Sequence, residues 1–195
     1  MMSAGHHAAA TDTAAKLAHR FAAGWNNPTA DDLSAYGSLL LRGAIAAARH
    51  GSRGMATDLL DEAEIAARRI GDEYQHPTSA FGRANVQMHR VHIAVSLRDA
   101  GTAIDLARGI DLGSVAIVER QASTLIDVAL ALSQCGRIEQ SYQTLRTAES
   151  LASEEMYSRL AVRHLVLELL IHAPSSLEPE LKALARRVHA PGHLA

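Results

Sequence analysis

A chain of 195 residues, 48% of them hydrophobic, can bury a sizeable core in one or two domains. Only 4% are aromatic, so that core is built from Ala, Leu, Ile and Val, which suits close helix packing more than a sheet. With 19 basic and 21 acidic residues and a net charge of -2 there is no global nucleic-acid footprint, the single cysteine excludes an internal disulfide and fits a reducing cytoplasm, and no apolar run is long enough to span a membrane.

Residues 1–10 are Ala-rich, lack a signal-peptide pattern and read as a frayed terminus, with His6 and His7 part of it rather than a metal site. Thr11 to Trp25 read as a first helix, with Leu17, Phe21 and Trp25 on one side, stopped by Asn26-Asn27-Pro28. Thr29 with Asp32 resembles a capping box that opens a second helix running to about His50 and ending at Gly51. A third helix covers Arg53 to Ile70. After a loop at 72–82, helices are expected at about 83–97, 100–109, 119–135, 137–151, 155–172 and 176–189, with 191–195 a loose tail. Strand patterns with period two are absent. The reading is an all-α chain of about nine helices, one repeat domain over 11–190.

The helices come in pairs with short turns, so an internal repeat is the first thing to seek. Ala56, Ala103 and Ser141 mark one place in three second helices, and Ala44, Val91 and Ala129 are their partners on the first helices. Ala63, Ile110 and Ala148 repeat further along. Small residues at these points let helix axes approach to ~8–10 Å. The pairing resembles the tetratricopeptide repeat, a right-handed solenoid of antiparallel helix pairs. Gly51 and Gly136 match its turn glycine; Arg98 departs from it, and the large aromatics are mostly missing.

Two strings carry a closer resemblance, over about residues 17–190. One is Thr78-Ser79-Ala80-Phe81-Gly82-Arg83-Ala84-Asn85-Val86 with His89 following. The other is Leu125-Ile126-Asp127-Val128-Ala129 with Gly136-Arg137. They are similar to the C-terminal tetratricopeptide-like sensor domain of actinobacterial XRE-type helix-turn-helix transcriptional regulators. Family members often have Gly-Pro-Thr-Asn where this chain has Gly82-Arg83-Ala84-Asn85. The resemblance implies a non-enzymatic module for ligand sensing, dimerisation or both, in the cytoplasm. The first repeat pair begins near residue 30, which leaves no room for the family's DNA-binding head. The chain is then a fragment or a stand-alone relative, and in neither case is it expected to contact nucleic acid directly.

At ~100° per residue, Asn85, His89, His92, Ser96 and Asp99 share an arc of roughly 80°. Met88, Val91 and Val95 flank it on one side, and Val86, Ile93 and Leu97 on the other. Such a polar strip between two apolar flanks suits the wall of a groove. Carrying the repeat offsets across aligns Arg42 with His89 and Asp127, Ser38 with Asn85 and Ser123, Arg49 with Ser96 and Gln134, and Ile45 with His92 and Leu130. The first helices of stacked pairs line a concave surface. Arg42, Arg49, Asn85, His89, His92, Ser96, Asp127 and Gln134 are therefore the candidate ligand-binding residues, and Asn85, with donor and acceptor on one amide, is the best single choice. Alternatively, Arg42, His89 and Asp127 satisfy one another inside the fold. His89 and His92 have metal-ligand spacing, yet no second cluster completes a set, so neither a metal nor a cofactor is expected.

No catalytic constellation is present: no Gly-rich phosphate loop, no Gly-x-Ser-x-Gly, no His-Glu-x-x-His. The adjacent pairs Asp61-Glu62 and Glu154-Glu155 point to different helix faces and read as solvated. The expected partners are a small-molecule or peptide effector, or another protein, with a homodimer through the first helix or the last pair. The alternative function is a stand-alone protein-interaction scaffold.

Overall fold

A computed structural model of the chain describes residues 2–71 and 81–189. The loop around Pro77, the Thr78-Ser79-Ala80 part of the first string and the tail at 191–195 lie outside the described residues. Among those residues every element is helical: α1 (Met2–Ala22), α2 (Ala30–Arg49), α3 (Arg53–Ile70), α4 (Arg83–Ser96), α5 (Ala100–Arg108), α6 (Val118–Gln134), α7 (Ile138–Leu151), α8 (Ser153–Ser158), α9 (Leu160–His172) and α10 (Glu178–His189), with a single 3-10 turn at Leu112–Ser114. They fall into two compact units, Met1–Leu97 with α1 to α4, and Arg98–Ala195 with α5 to α10.

In the first unit, Thr29 caps α2 as expected. Its hydroxyl accepts from the Asp32 backbone N–H at 3.2 Å, and the Asp32 carboxylate accepts from the Thr29 N–H at 3.0 Å. The hydrogen bond to the Thr29 side chain, with that to its backbone, holds the Asp32 carboxyl below its ordinary range. At its far end α2 stops in a Schellman turn. Gly51 takes φ +82° and donates to the Ala48 carbonyl, while Ser52 donates to that of Ala47, each at 2.9 Å. The chain then reverses and α3 lies on α2. The contact is made by small residues: Ala44, Ala47, Ala56 and Ala63 are all fully buried. Leu40, Leu41, Leu59 and Leu60 fill the space around them, and α1 adds Ala18 to the same core. Both apolar flanks of α4 are buried, Val86 and Ile93 on one side and Met88, Val91 and Val95 on the other.

In the second unit, Ser141 on α7 donates its hydroxyl hydrogen to the Ala129 carbonyl on α6 at 2.7 Å, with both residues fully buried. This is the small-on-small contact the repeat spacing predicts. Gly136 at φ +71° closes α6 by the same pair of hydrogen bonds as at Gly51, to the Ser133 and Leu132 carbonyls. Ile126, Tyr142, Leu145, Leu165, Leu169 and Leu184 form the core of this unit.

Four expectations differ from the structure. Helix α1 starts at Met2 rather than Thr11 and ends at Ala22. Gly24, at φ +89°, turns the chain before Trp25, so Trp25 leaves the helical row expected to hold it with Leu17 and Phe21. The helix expected at 155–172 is broken into α8 and α9 at Arg159, which is extended (φ −87°, ψ 119°). There the Ser158 hydroxyl donates to the Glu155 carbonyl at 2.9 Å. The described residues therefore form ten helices rather than nine. Ile110 follows the end of α5, so it does not repeat the roles of Ala63 and Ala148 within a helix.

Among the described residues, Arg98 is the one such turn position without glycine, and it adopts the glycine conformation regardless, at φ +61°. A left-handed backbone costs an L-residue about 1 kcal/mol or more. Arg98→Gly relieves that strain and in return frees the unfolded chain. The expected outcome is a gain of about 0.5–1 kcal/mol, read as a rise of the thermal midpoint by roughly 1–4 °C.

Candidate functional site

Helix α3 places Glu62, Ile65, Ala66 and Arg69 at i, i+3, i+4 and i+7, which is one face. Opposite that face run the end of α1, the loop into α2, and the first turns of α2. Between them lies a cavity of about 570 Å³ within the first unit. Trp25, Leu33, Ile65 and Ala66 give it apolar walls, and Asn26, Tyr36, Glu62 and Arg69 bring polar atoms to it. A volume in this range suits a small organic ligand.

The aromatic wall is fixed by edge-on packing. The Trp25 ring centroid lies 5.6 Å from that of Tyr36 at 67°, and 5.2 Å from that of Phe21 at 78°. Tyr36 in turn donates a hydrogen bond to Glu62 Oε1. Burial, then that bond, then the Glu62 charge push the Tyr36 hydroxyl well above the ordinary phenol range, so it stays a donor. His19 Nε2 lies 3.2 and 3.3 Å from the two Glu62 oxygens. The carboxylate of Glu62 is therefore engaged from two sides, not merely solvated as the adjacent pair Asp61-Glu62 suggests. Asp61 pairs with Arg90 at 2.7 Å. Arg69 makes no ion pair with any carboxylate among the described residues.

The residues expected to line a groove are distributed differently. In the first unit, Asn85 is buried, 7% exposed, and His89 and His92 are half-buried, while Arg42, Arg49 and Ser96 are exposed. The polar strip of α4 thus deepens toward its N-terminus. His89 Nδ1 donates to the Asn85 backbone carbonyl at 2.9 Å, one turn back on the same helix, which leaves Nε2 as the nitrogen that points onward. In the second unit, Asp127 is buried, 6% exposed, and Gln134 is exposed. None of the eight lines the cavity beside Trp25. Among the described residues no cluster of three or more His, Cys, Asp or Glu is placed to hold a metal ion, and no helix is long and apolar enough to cross a membrane.

Two features escape sequence reasoning. The cavity does so because the helical pattern carries Trp25 into α1. Glu64 does so although it is 6% exposed and takes hydrogen bonds from Arg68 Nε at 3.1 Å and Gln87 Nε2 at 3.2 Å, tying α3 to α4. Its signal is legible, since it interrupts the apolar stripe of Leu60, Ala63 and Ala67 on α3. A second depression, about 430 Å³ in the second unit, is bordered by Arg137, Gln140, His172 and Pro174, all exposed, and has no aromatic wall. Neither family models, curated proteins nor solved structures give a match to this chain.

Proposed function

We propose that the chain is a non-enzymatic ligand-sensing module, with its helix pairs arranged as tetratricopeptide-like repeats resembling the effector half of an XRE-type regulator. The observation that carries this reading is the cavity beside Trp25. It has the size of a small-molecule site, a rigid aromatic wall, and an arginine with no carboxylate partner among the described residues. An effector there would touch α3 and the α1–α2 loop together and so bias how they pack. A ligand that stabilises the folded state by mass action at a hundredfold excess over its Kd adds about 2.7 kcal/mol. A thermal-shift screen of small organic compounds should therefore yield ligands that raise the midpoint by several degrees. Those shifts should vanish in Ile65→Trp, which places a large ring in the cavity mouth from a position already 61% exposed. Ligands indifferent to Ile65→Trp, or no ligand at all, would count against the reading.

The alternative, a protein-interaction scaffold or dimerising module, is favoured by α9. One face of α9 is buried through Val162, Leu165, Val166 and Leu169. The other exposes Leu160 at 62%, Leu167 at 46% and Ile171 at 77%, three residues within one narrow stripe. Sedimentation over a range of concentrations is the check. A dimer lost in Leu167→Glu or Ile171→Glu assigns the stripe to a second copy. A monomer throughout removes the homodimer.

A further inference from the structure

The cavity beside Trp25 also says what kind of molecule it would hold, an inference that rests on the ligand-sensing reading. Its two charged groups are not equivalent. Glu62 already accepts from Tyr36 and faces His19 through both oxygens, so a cationic ligand would have to displace protein donors to reach it. Arg69 sits two turns beyond Glu62 on the same face of α3, past Ile65 and Ala66, and none of the described carboxylates pairs with it. A guanidinium offers five hydrogen-bond donors in a planar fork that matches a carboxylate with two parallel bonds. The lining also includes Ile65, Ala66 and Leu33, which offer nothing to a polar body. The charge available to a ligand is thus positive, and beside it Trp25, Leu33, Ile65 and Ala66 offer apolar surface while Asn26 and Tyr36 add polar atoms.

We propose that this cavity binds an apolar monocarboxylate of one or two rings, with its carboxylate on Arg69 and its ring against Trp25. Hydroxyls of a sugar or nucleotide placed against Leu33, Ile65 and Ala66 would be left without partners there. Inorganic phosphate would gain Arg69 alone and lose the apolar contact.

Trp25 is the one tryptophan of the chain, so its emission reports on this cavity without interference. The experiment titrates the full chain with phenylacetate, with its uncharged isostere phenylacetamide, and with inorganic phosphate. Phenylacetate should change the emission saturably, bind at least about tenfold more tightly than the amide, in line with one charge-assisted bidentate pair, and phosphate should give no saturable change. Arg69→Gln should remove the tenfold preference, and Arg69→Lys should keep part of it; Arg69 is exposed, so both should retain the wild-type far-UV spectrum. Equal affinity for acid and amide, or a preference unchanged in Arg69→Gln, overturns the carboxylate assignment while leaving the cavity as a binding site. Phosphate alone binding overturns it in favour of a simple anion site. No saturable response to any of the three, together with screen ligands that remain sensitive to Ile65→Trp, also overturns it and leaves the sensing reading standing. A blank in both experiments removes the two together.

Discussion

Gly37→Ala should be among the most damaging single-methyl additions in the chain. The Phe81 ring, 1% exposed, sits directly on the bare backbone of α2 at this glycine. A Cβ built there would lie 1.9 Å from Phe81 Cζ and 2.4 and 2.6 Å from the two Cε atoms, far inside contact distance. The ring has nowhere to retreat, because Val86 and Ile93 of α4 belong to the same buried cluster. Overpacking of a tight core costs typically about 1–3 kcal/mol, and so complete an overlap belongs at the upper end. That loss lowers the thermal midpoint by on the order of 10 °C. Phe81→Leu alone removes ring volume and should cost about 1–2 kcal/mol. In the double variant the smaller leucine side chain makes room for the new methyl, so the two losses should fall short of their sum by at least about 1 kcal/mol. Strict additivity in chemical denaturation would show that the ring does not rest on Gly37.

Glu149→Gln should cost the second unit about 2 kcal/mol at neutral pH, and the cost should depend on pH in a defined way. Glu149, on α7, is 12% exposed at its side chain. It takes two bonds from Arg187 on α10, at 2.6 and 3.0 Å, one from the Tyr157 hydroxyl on α8 at 2.6 Å, and an ion pair with Arg146 at 3.1 Å. Three helices meet on this one carboxylate. Breaking a buried pair costs about 3–5 kcal/mol; here Arg187 and Arg146 are 39% and 51% exposed and can rehydrate, which lowers the figure. Burial pushes the Glu149 carboxyl up, but the hydrogen bonds from Arg187 and Tyr157 and the nearby positive charges outweigh it and leave it below its ordinary value of 4.5. A carboxyl depressed in the folded state stabilises fully above that ordinary value, and its contribution fades as pH falls toward the folded-state value. Urea unfolding of the wild type and Glu149→Gln should therefore show a gap that is constant well above pH 4.5 and closes progressively as pH falls below it, toward the folded-state value. A gap that stays constant into acid would mean that the charge of Glu149 is not what holds the three helices.

Local chemistry is the most legible part of this chain. The Thr29 capping box, the turns at Gly51 and Gly136, and the Ala129–Ser141 contact all follow from residues a few positions or one hairpin apart, where capping preference and small-residue spacing act without rivals. Arg98 shows the limit of that logic. Its side chain argues against a left-handed turn, and closing the end of α4 imposes one. The break at Arg159 escapes notice because no glycine or proline marks it. The candidate site is less legible still. The polar strip of α4 follows from angle alone, and its apolar flanks are buried as the angles require, but an angle does not tell how deep Asn85 lies or which nitrogen of His89 bonds its own helix. The cavity beside Trp25 depends on where a single glycine ends α1. That is a one-turn difference in helix length, and helix ends are the least determined feature of any sequence pattern.

The indole of Trp25 has a use beyond ligand titration. It belongs to the first unit, and the second unit has its own core and no tryptophan. Emission during a denaturant melt therefore counts molecules in which the first core has opened, whereas far-UV ellipticity weighs helices from both. Coincident curves would make the polypeptide one cooperative block; separated midpoints would divide it into two, each with its own free energy of unfolding.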